Sequence, residues 1–435
     1  MRRPTRRHTV AGVLAALLMV LATVGLLGRQ DPAGESGKDA YWFGTLQTAP
    51  EHAVTEYEHG VRVAHLDIDW GDFEPEKDIF DDAYAERIKE RVRVFHDAGL
   101  RVELGLGLHQ PPEWLARTYP WAVYVNQFGE RSPRTANIVF SETVRFEAEQ
   151  YATRVTERIG LENVWALRIG VGETGEYSYP APVSTERAQA EYWAYDDNAQ
   201  STASDSDRPT TVPQNPFPEW RPGDETYRGQ PFTERQVRLW YAWYLGALAD
   251  AVNWQIGMYT ELGHEGPLKV LVPGAGFPPW VYDAAVADRL DGKDPGRLVG
   301  RGVAFFETLG LIHGQGNVRI VTTALVDGTG RPRDNGCRPD DAAVDVRTAD
   351  ERTVGGWSSA RWVVAVARAN GFAHVSGESA GPQVAPYHPG VMDAAARQMT
   401  SCGLEGIMWA FDRDLYDGTP GSSLAEYAAV IRRLG

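Results

Sequence analysis

Two hydrophobic patterns alternate along the chain. One is helical: Tyr84, Ile88, Val92 and Phe95 recur at spacings of four, four and three, which places them on one face of a helix that Asp81 and Asp82 can cap. The other is nearly continuous. Short apolar runs at Tyr41–Leu46, Val61–Asp69, Leu100–Leu108, Val164–Val171, Leu268–Val272, Val318–Leu325, Phe372–Gly377 and Leu404–Phe411 read as buried strands. A glycine often marks the change, as at Gly99, Gly371 and Gly403, where it can adopt the left-handed backbone that ends a helix. Strands alternating with helices over residues 39–435 predict an α/β protein with one closed (β/α)8 TIM barrel and long insertions after the fourth and sixth strands. A doubly wound sheet fits less well, because the chain has no glycine-rich phosphate fingerprint.

Alternate side chains of a strand face opposite sides, so the apolar set on each strand assigns the polar set to the barrel interior. In the second strand Ala64, Leu66 and Ile68 face the helices, leaving His65, Asp67 and Asp69 inward. In the third, Glu103, Gly105, Gly107 and His109 face in; in the seventh, His374, Ser376 and Glu378 do so, with Glu378 at the C-terminal end. Arg168 in the fourth strand is also interior, where an unpaired charge is costly, and Glu103 on the adjacent strand is its expected partner. Trp165, Leu167, Ile169 and Val171 make the outward face of that strand.

Glu176 lies past the turn Gly172-Glu173-Thr174-Gly175 and can lean over the barrel mouth, whereas strict alternation sends Glu173 outward. Two carboxylates entering the mouth from the fourth and seventh strands suit glycosidic bond cleavage: one protonates the leaving oxygen, the other attacks or activates water. Glu176 and Glu378 are the candidate catalytic pair, with Glu173 the alternative acid.

The surrounding motifs resemble a known family. RIGVGETGEYSYP at residues 168–180 resembles the fourth-strand motif of family 14 glycoside hydrolases, the β-amylases, which implies Glu176 as the acid. SGESA at 376–380 is similar to their general-base motif, with Glu378 in the base position. DIDWG at 67–71 resembles their sugar-binding segment and implies Asp67 as a sugar ligand; His109-Gln110 and Thr323 match further substrate-binding positions. The loop PPEWLARTYP at 111–120 instead resembles family 42 β-galactosidases, and the β-amylase lid and the lysine after the fifth strand have no evident counterpart. The resemblance implies a hydrolase of O-glycosyl bonds, β-amylase-like, with a retaining β-galactosidase-like exoglycosidase and a catalytically inactive glycan-binding barrel as the alternatives.

Composition bounds the partners. The 435 residues are 43% apolar, with fourteen Trp and eighteen Tyr, which is material for a large core and for stacking on sugars. A net charge of −16 disfavours nucleic acid. No cofactor is expected; a metal at His65, Asp67 and His109 is disfavoured, since hydrogen bonding to a sugar or among these residues explains them without one. Trp409, near the end of the eighth strand, is a candidate sugar platform, while Trp193 and Trp220 in the insertion at 181–232 read as loop packing. Arg2, Arg3, Arg6 and Arg7 precede an apolar run at residues 10–28, so residues 1–30 read as a signal peptide or signal anchor. That segment places the barrel outside the cell or on the outer face of the cytoplasmic membrane. Cys337, assigned to a loop at the C-terminal face of the strands, and Cys402, assigned to the opposite face, are expected not to pair.

Overall fold

Eight parallel strands close into a barrel: β1 (Trp42–Thr45), β2 (Val63–Asp67), β3 (Arg101–Gly105), β4 (Ala166–Ile169), β5 (Leu268–Val272), β6 (Val318–Thr322), β7 (Val375–Glu378) and β8 (Gly406–Trp409). Each pairs with its sequence neighbours, and β8 returns to β1 with Gly406 opposite Trp42. This computed structural model describes residues 41–435 apart from 185, 293–295, 315 and 327–334. Tyr41–Gly435 form one unit; the candidate signal or anchor at residues 1–30 lies outside the described residues. Among the described residues no helix is long and apolar enough to cross a membrane.

Helices α1 (Ala53–Glu58), α2 (Asp82–Asp97), α3 (Glu142–Ile159), α4 (Glu234–Glu261), α5 (Pro279–Ala287), α6 (Ser359–Ala369), α7 (Val391–Cys402) and α8 (Leu424–Leu434) follow the successive strands. The helix predicted from the spacing of Tyr84, Ile88, Val92 and Phe95 is α2; Asp81 caps it by accepting from the Tyr84 N–H, and Ile88, Val92 and Phe95 are buried. Ala64, Leu66, Val102, Leu104, Leu167 and Ile169 fill the layer between strands and helices, as alternation requires.

The observed strands are shorter than the apolar runs. Leu106 and Leu108 are buried, yet the ladder of β3 ends at Gly105, because the chain leaves the sheet there and turns at Gly107, φ 65°, to line the barrel mouth. The insertion after β4 packs Trp193 and Trp220 into the core with Tyr192, Trp240 and Phe232, so these rings serve the loop's own packing.

Three expectations are corrected. Cys337 and Cys402 form a disulfide, Cα atoms 4.7 Å apart. From residue 335 onward the insertion after β6 does not stay at the mouth. Arg361 of α6 grips Asp341 through its guanidinium, and Ser358 Oγ donates to the Asn335 carbonyl, which draws Cys337 along the outside of the barrel to the end of α7. Trp165 precedes β4 and turns under the barrel, 5.5 Å from Trp42 edge to face, rather than out to the helices. His374 precedes β7 and pairs with Glu405 at that same end, where Arg319 also approaches Glu405 at 3.6 Å.

Candidate active site

The C-terminal ends of the strands open into a cavity of about 660 Å³, reached by side chains from nearly every strand. Its floor is ionic. Arg168 of β4 donates through Nη1 to Glu103 Oε1 of β3 at 3.1 Å, which is the pairing that alternation predicted. Through Nη2 it reaches Glu378 Oε1 of β7 at 2.7 Å, so one guanidinium joins a structural carboxylate to a candidate catalytic one. Burial raises the Glu378 carboxyl above the ordinary carboxylate range, with Arg168 opposing the shift. Glu103 moves the other way: burial would raise it, but Lys269, Arg168 and His65 together hold it low.

Glu176 faces the cavity from the loop after β4. Its carbonyl accepts from the N–H groups of Val171 and Gly172, which folds the loop back onto the strand end. The fold-back is tight enough that a side chain at Gly170 would meet the Gly175 carbonyl at 1.8 Å. The carboxyl is then held by two hydroxyls, Thr323 Oγ1 on Oε1 and Thr174 Oγ1 on Oε2, both at 2.6 Å. Thr323 stands just past β6, so the predicted threonine and the preferred acid are in direct contact. Glu173 also borders the cavity, but both of its oxygens accept from the Ala181 N–H, at 2.9 and 3.2 Å, anchoring the start of the insertion.

Asp67 stands at the end of β2 with half of its side chain open. Its Oδ1 lies 3.3 Å from His65 Nε2, and His65 Nδ1 accepts from the Gln47 N–H at 3.2 Å. The acceptor role of Nδ1 leaves the ring proton on Nε2, directed at Asp67. Burial opposes ionisation of Asp67, but His65, Arg168 and His109 outweigh it and hold the carboxyl far below its usual range. Glycine at 105 leaves room for this carboxyl, since a side chain there would meet Asp67 Oδ1 at 2.0 Å and displace it. His109 lies against Gly175, and burial lowers its imidazole, which favours the neutral ring. Gln110 is exposed at the rim.

The cavity therefore brings together Glu176, Glu378, Glu173, Asp67, His109, Gln110 and Thr323. Trp409 is the exception among the predicted site residues. It is 1% exposed, points away from the barrel axis, packs beside Tyr387 and Tyr427, and donates through Nε1 to Ser422 Oγ. The inward position on β8 belongs to Met408, which touches β1 at Gly44; alternation along the strand sends Trp409 to the helices. Among the described residues no group of three or more His, Cys, Asp or Glu could hold a metal ion.

Two functional features escaped the sequence reading. Lys269, alone and charged within the apolar LKVLV strand, carried a readable signal: alternation places it inside the barrel beside Arg168. Tyr387 carried none. Its hydroxyl accepts from the Gly381 N–H and joins Ser379 Oγ and the Ala410 carbonyl, fixing the loop that follows Glu378.

A family model described as β-galactosidase, glycoside hydrolase family 42, matches residues 47–169, which span β2 to β4 and stop short of Glu173, Glu176 and Glu378. The catalytic domain of a β-amylase from Paenibacillus polymyxa superposes with a TM-score of 0.59 at 14% identity, covering 92% of this chain and all 100% of that one. A β-galactosidase from the Antarctic haloarchaeon Halorubrum lacusprofundi gives 0.55 at 15% identity over 90% of this chain and 58% of its own. One from Bacillus circulans sp. alkalophilus gives 0.54 at 14% identity, over 91% and 56%. The chain thus spans a little over half the length of the β-galactosidases it matches. No curated protein sequence matches it. The fold is a (β/α)8 barrel similar to those of both groups, and residues 47–169 match the family 42 model.

Proposed function

We propose that the protein hydrolyses O-glycosyl bonds of an oligosaccharide or polysaccharide in a β-amylase-like manner. Glu176 is the general acid and Glu378 the general base, and Asp67, His109 and Gln110 hold the terminal sugar. The observation that carries this reading is the contrast between two carboxyl groups in one cavity: Glu378 against the Arg168 guanidinium at 2.7 Å, and Glu176 held, among the described residues, by two hydroxyls at 2.6 Å. Burial raises the Glu378 carboxyl and Arg168 opposes that shift, which suits a base that takes a proton from water. Glu176, which faces the same cavity from the loop after β4 and has hydroxyl partners among the described residues, is left as the donor to the leaving oxygen. Turnover of the full chain on starch, maltooligosaccharides and a panel of chromogenic glycosides tests this. Hydrolysis of the α-glucans supports the reading; binding without any turnover would make the barrel a glycan-binding protein instead.

The second reading is a retaining β-galactosidase-like exoglycosidase with Glu378 as nucleophile. It is supported by the family match over residues 47–169, which contains the PPEWLARTYP loop. Cleavage of β-galactosides in the same panel, with no action on α-glucans, would select it.

We place the barrel outside the cytoplasm, secreted or anchored through residues 10–28. The Arg-rich start followed by an apolar run supports this, as does the Cys337–Cys402 disulfide, a bond that persists in oxidising compartments. Protease accessibility in intact cells tests it. Full protection of the barrel would refute export.

A further inference from the structure

Lys269 is enclosed in the barrel, 2% exposed, and the chemistry proposed above gives it no task. Its ammonium lies 4.2 Å from the Trp42 ring centroid and 4.5 Å from that of Trp165. Nζ pairs with Glu103 Oε2. The other oxygen of Glu103 accepts from Arg168 Nη1 at 3.1 Å, and Arg168 Nη2 reaches Glu378 Oε1 at 2.7 Å. Charges therefore alternate from the barrel floor to the cavity in the order Lys269, Glu103, Arg168, Glu378.

Packing alone does not explain the lysine, because a neutral chain of similar volume would fill the space between two indoles without desolvating a charge. The surrounding groups limit what else it could serve. From β2, His65 acts on Glu103 and Glu378, and Asp67 acts on Arg168. From β6, Arg319 stands in register with Lys269, but its guanidinium binds the Gly316 carbonyl and Glu405. Arg101 covers the Trp165 ring at 4.3 Å. Glu103 is the carboxylate that Lys269 contacts, and without that contact Glu103 would compete with Glu378 for Arg168 and repel Glu378 as well.

We propose that Lys269 is a positioning residue for Glu378, acting through Glu103 and Arg168: by neutralising Glu103 it leaves the Arg168 guanidinium to hold Glu378 in place and to favour its charged form. This rests on the hydrolase reading for its consequence, but its physical content can be read without turnover. The carboxyl ¹³C resonance of Glu378, identified by its loss in E378Q, is titrated in the full chain, in K269M and in K269Q. The glutamine variant keeps an N–H donor for Glu103 while removing the charge, so it tests the idea even if K269M does not fold. Both should titrate higher than wild type by on the order of one pH unit. K269M/E103Q, which removes the pair together, should return most of the way.

In an active protein the acidic limb of kcat should move up in parallel, with KM little changed. Glu378 titrating as in wild type in the lysine variants, or remaining fully displaced in the double variant, would overturn the proposal. A shifted resonance in a protein with no glycosidase activity would keep the positioning role and reject the hydrolase reading.

Discussion

Arg168 shares its guanidinium between Glu103, 3.1 Å from Nη1, and Glu378, 2.7 Å from Nη2, so the buried pair that stabilises the barrel floor also orients a carboxylate at the cavity. Among the described residues Glu176 has no such cation; Thr174 and Thr323 bind it. Two carboxyl groups in such different surroundings are suited to opposite proton-transfer roles.

The first prediction follows from that division. E378Q and E176Q should each lower turnover by about 10³-fold or more, since each removes a proton transfer or a charge at the transition state. Glu173 spends both oxygens on the Ala181 N–H, so E173Q should cost far less. Steady-state kinetics on the preferred glycoside decide this. A dead E173Q with a nearly active E176Q would transfer the acid role to Glu173.

R168M should destabilise the fold by about 3 kcal/mol or more, because it leaves Glu103 buried beside a single cation and Glu378 without its partner. Adding E103Q should recover part of that loss. Chemical denaturation of the two single variants and the double variant measures the coupling, and strict additivity would show that the residues act independently.

The barrel, its interior charges and most of the residues that line the cavity were legible because strand alternation is strict where one face is buried. His65, Glu103, Arg168 and Glu378 could be assigned inward without knowledge of the loops. The same rule, carried beyond the paired residues of a run, fails where the chain has not yet entered the sheet, as at Trp165 just before β4. On β8 alternation sends Trp409 to the helices, because its neighbour Met408 takes the inward place. The disulfide was illegible for another reason. Position in sequence says nothing about which way a long insertion runs, and contacts such as Arg361 with Asp341, 20 residues apart, decide it.

Glu56 supplies a prediction about pH. It is fully buried in α1, accepts from Thr45 Oγ1 at 2.8 Å and lies beside Asp412, which also pairs with His52 Nδ1 at 2.9 Å. Burial, then the proximity of Asp412, raises its carboxyl to about 9 from an ordinary 4.5. The folded state thus keeps a proton that the unfolded chain releases near 4.5. The stability this contributes is fully present below that pH and is lost as pH rises toward 9, at up to about 1.4 kcal/mol per unit. E56Q should flatten this decline and melt above wild type at pH 8. Urea denaturation between pH 5 and 9 checks it, and parallel curves for the two proteins would refute the buried proton.

The disulfide joins residues 65 apart in sequence, and neither cysteine lines the cavity. C337S/C402S should therefore lose about 2–4 kcal/mol of stability through the larger entropy of its unfolded chain, with kcat and KM little changed. Thermal melts beside kinetics separate the two effects. A large loss of turnover at temperatures where the variant is still folded would mean that the insertion after β6 transmits its position to the site.

The stereochemical outcome depends on which glutamate delivers the proton. If Glu176 is the acid, it does so from a loop that has already turned back past Gly175, with Thr323 at the end of β6 holding one oxygen. Glu378 reaches the cavity from the end of β7, tied to the interior by Arg168. Water must fit between the base and the anomeric carbon in an inverting site, which needs carboxyl groups about 6.5–9.5 Å apart, whereas direct attack needs about 5–5.5 Å. A proton donor on the folded-back turn, with its own hydroxyl partners, suits the wider arrangement. Glu173, three residues nearer the strand, would suit the narrower one, but its carboxylate is committed to Ala181. The expected product is therefore the inverted anomer, observable by ¹H NMR in the first minutes of hydrolysis before mutarotation. Detection of the retained anomer at that stage would instead assign Glu378 as a nucleophile and select the β-galactosidase-like reading.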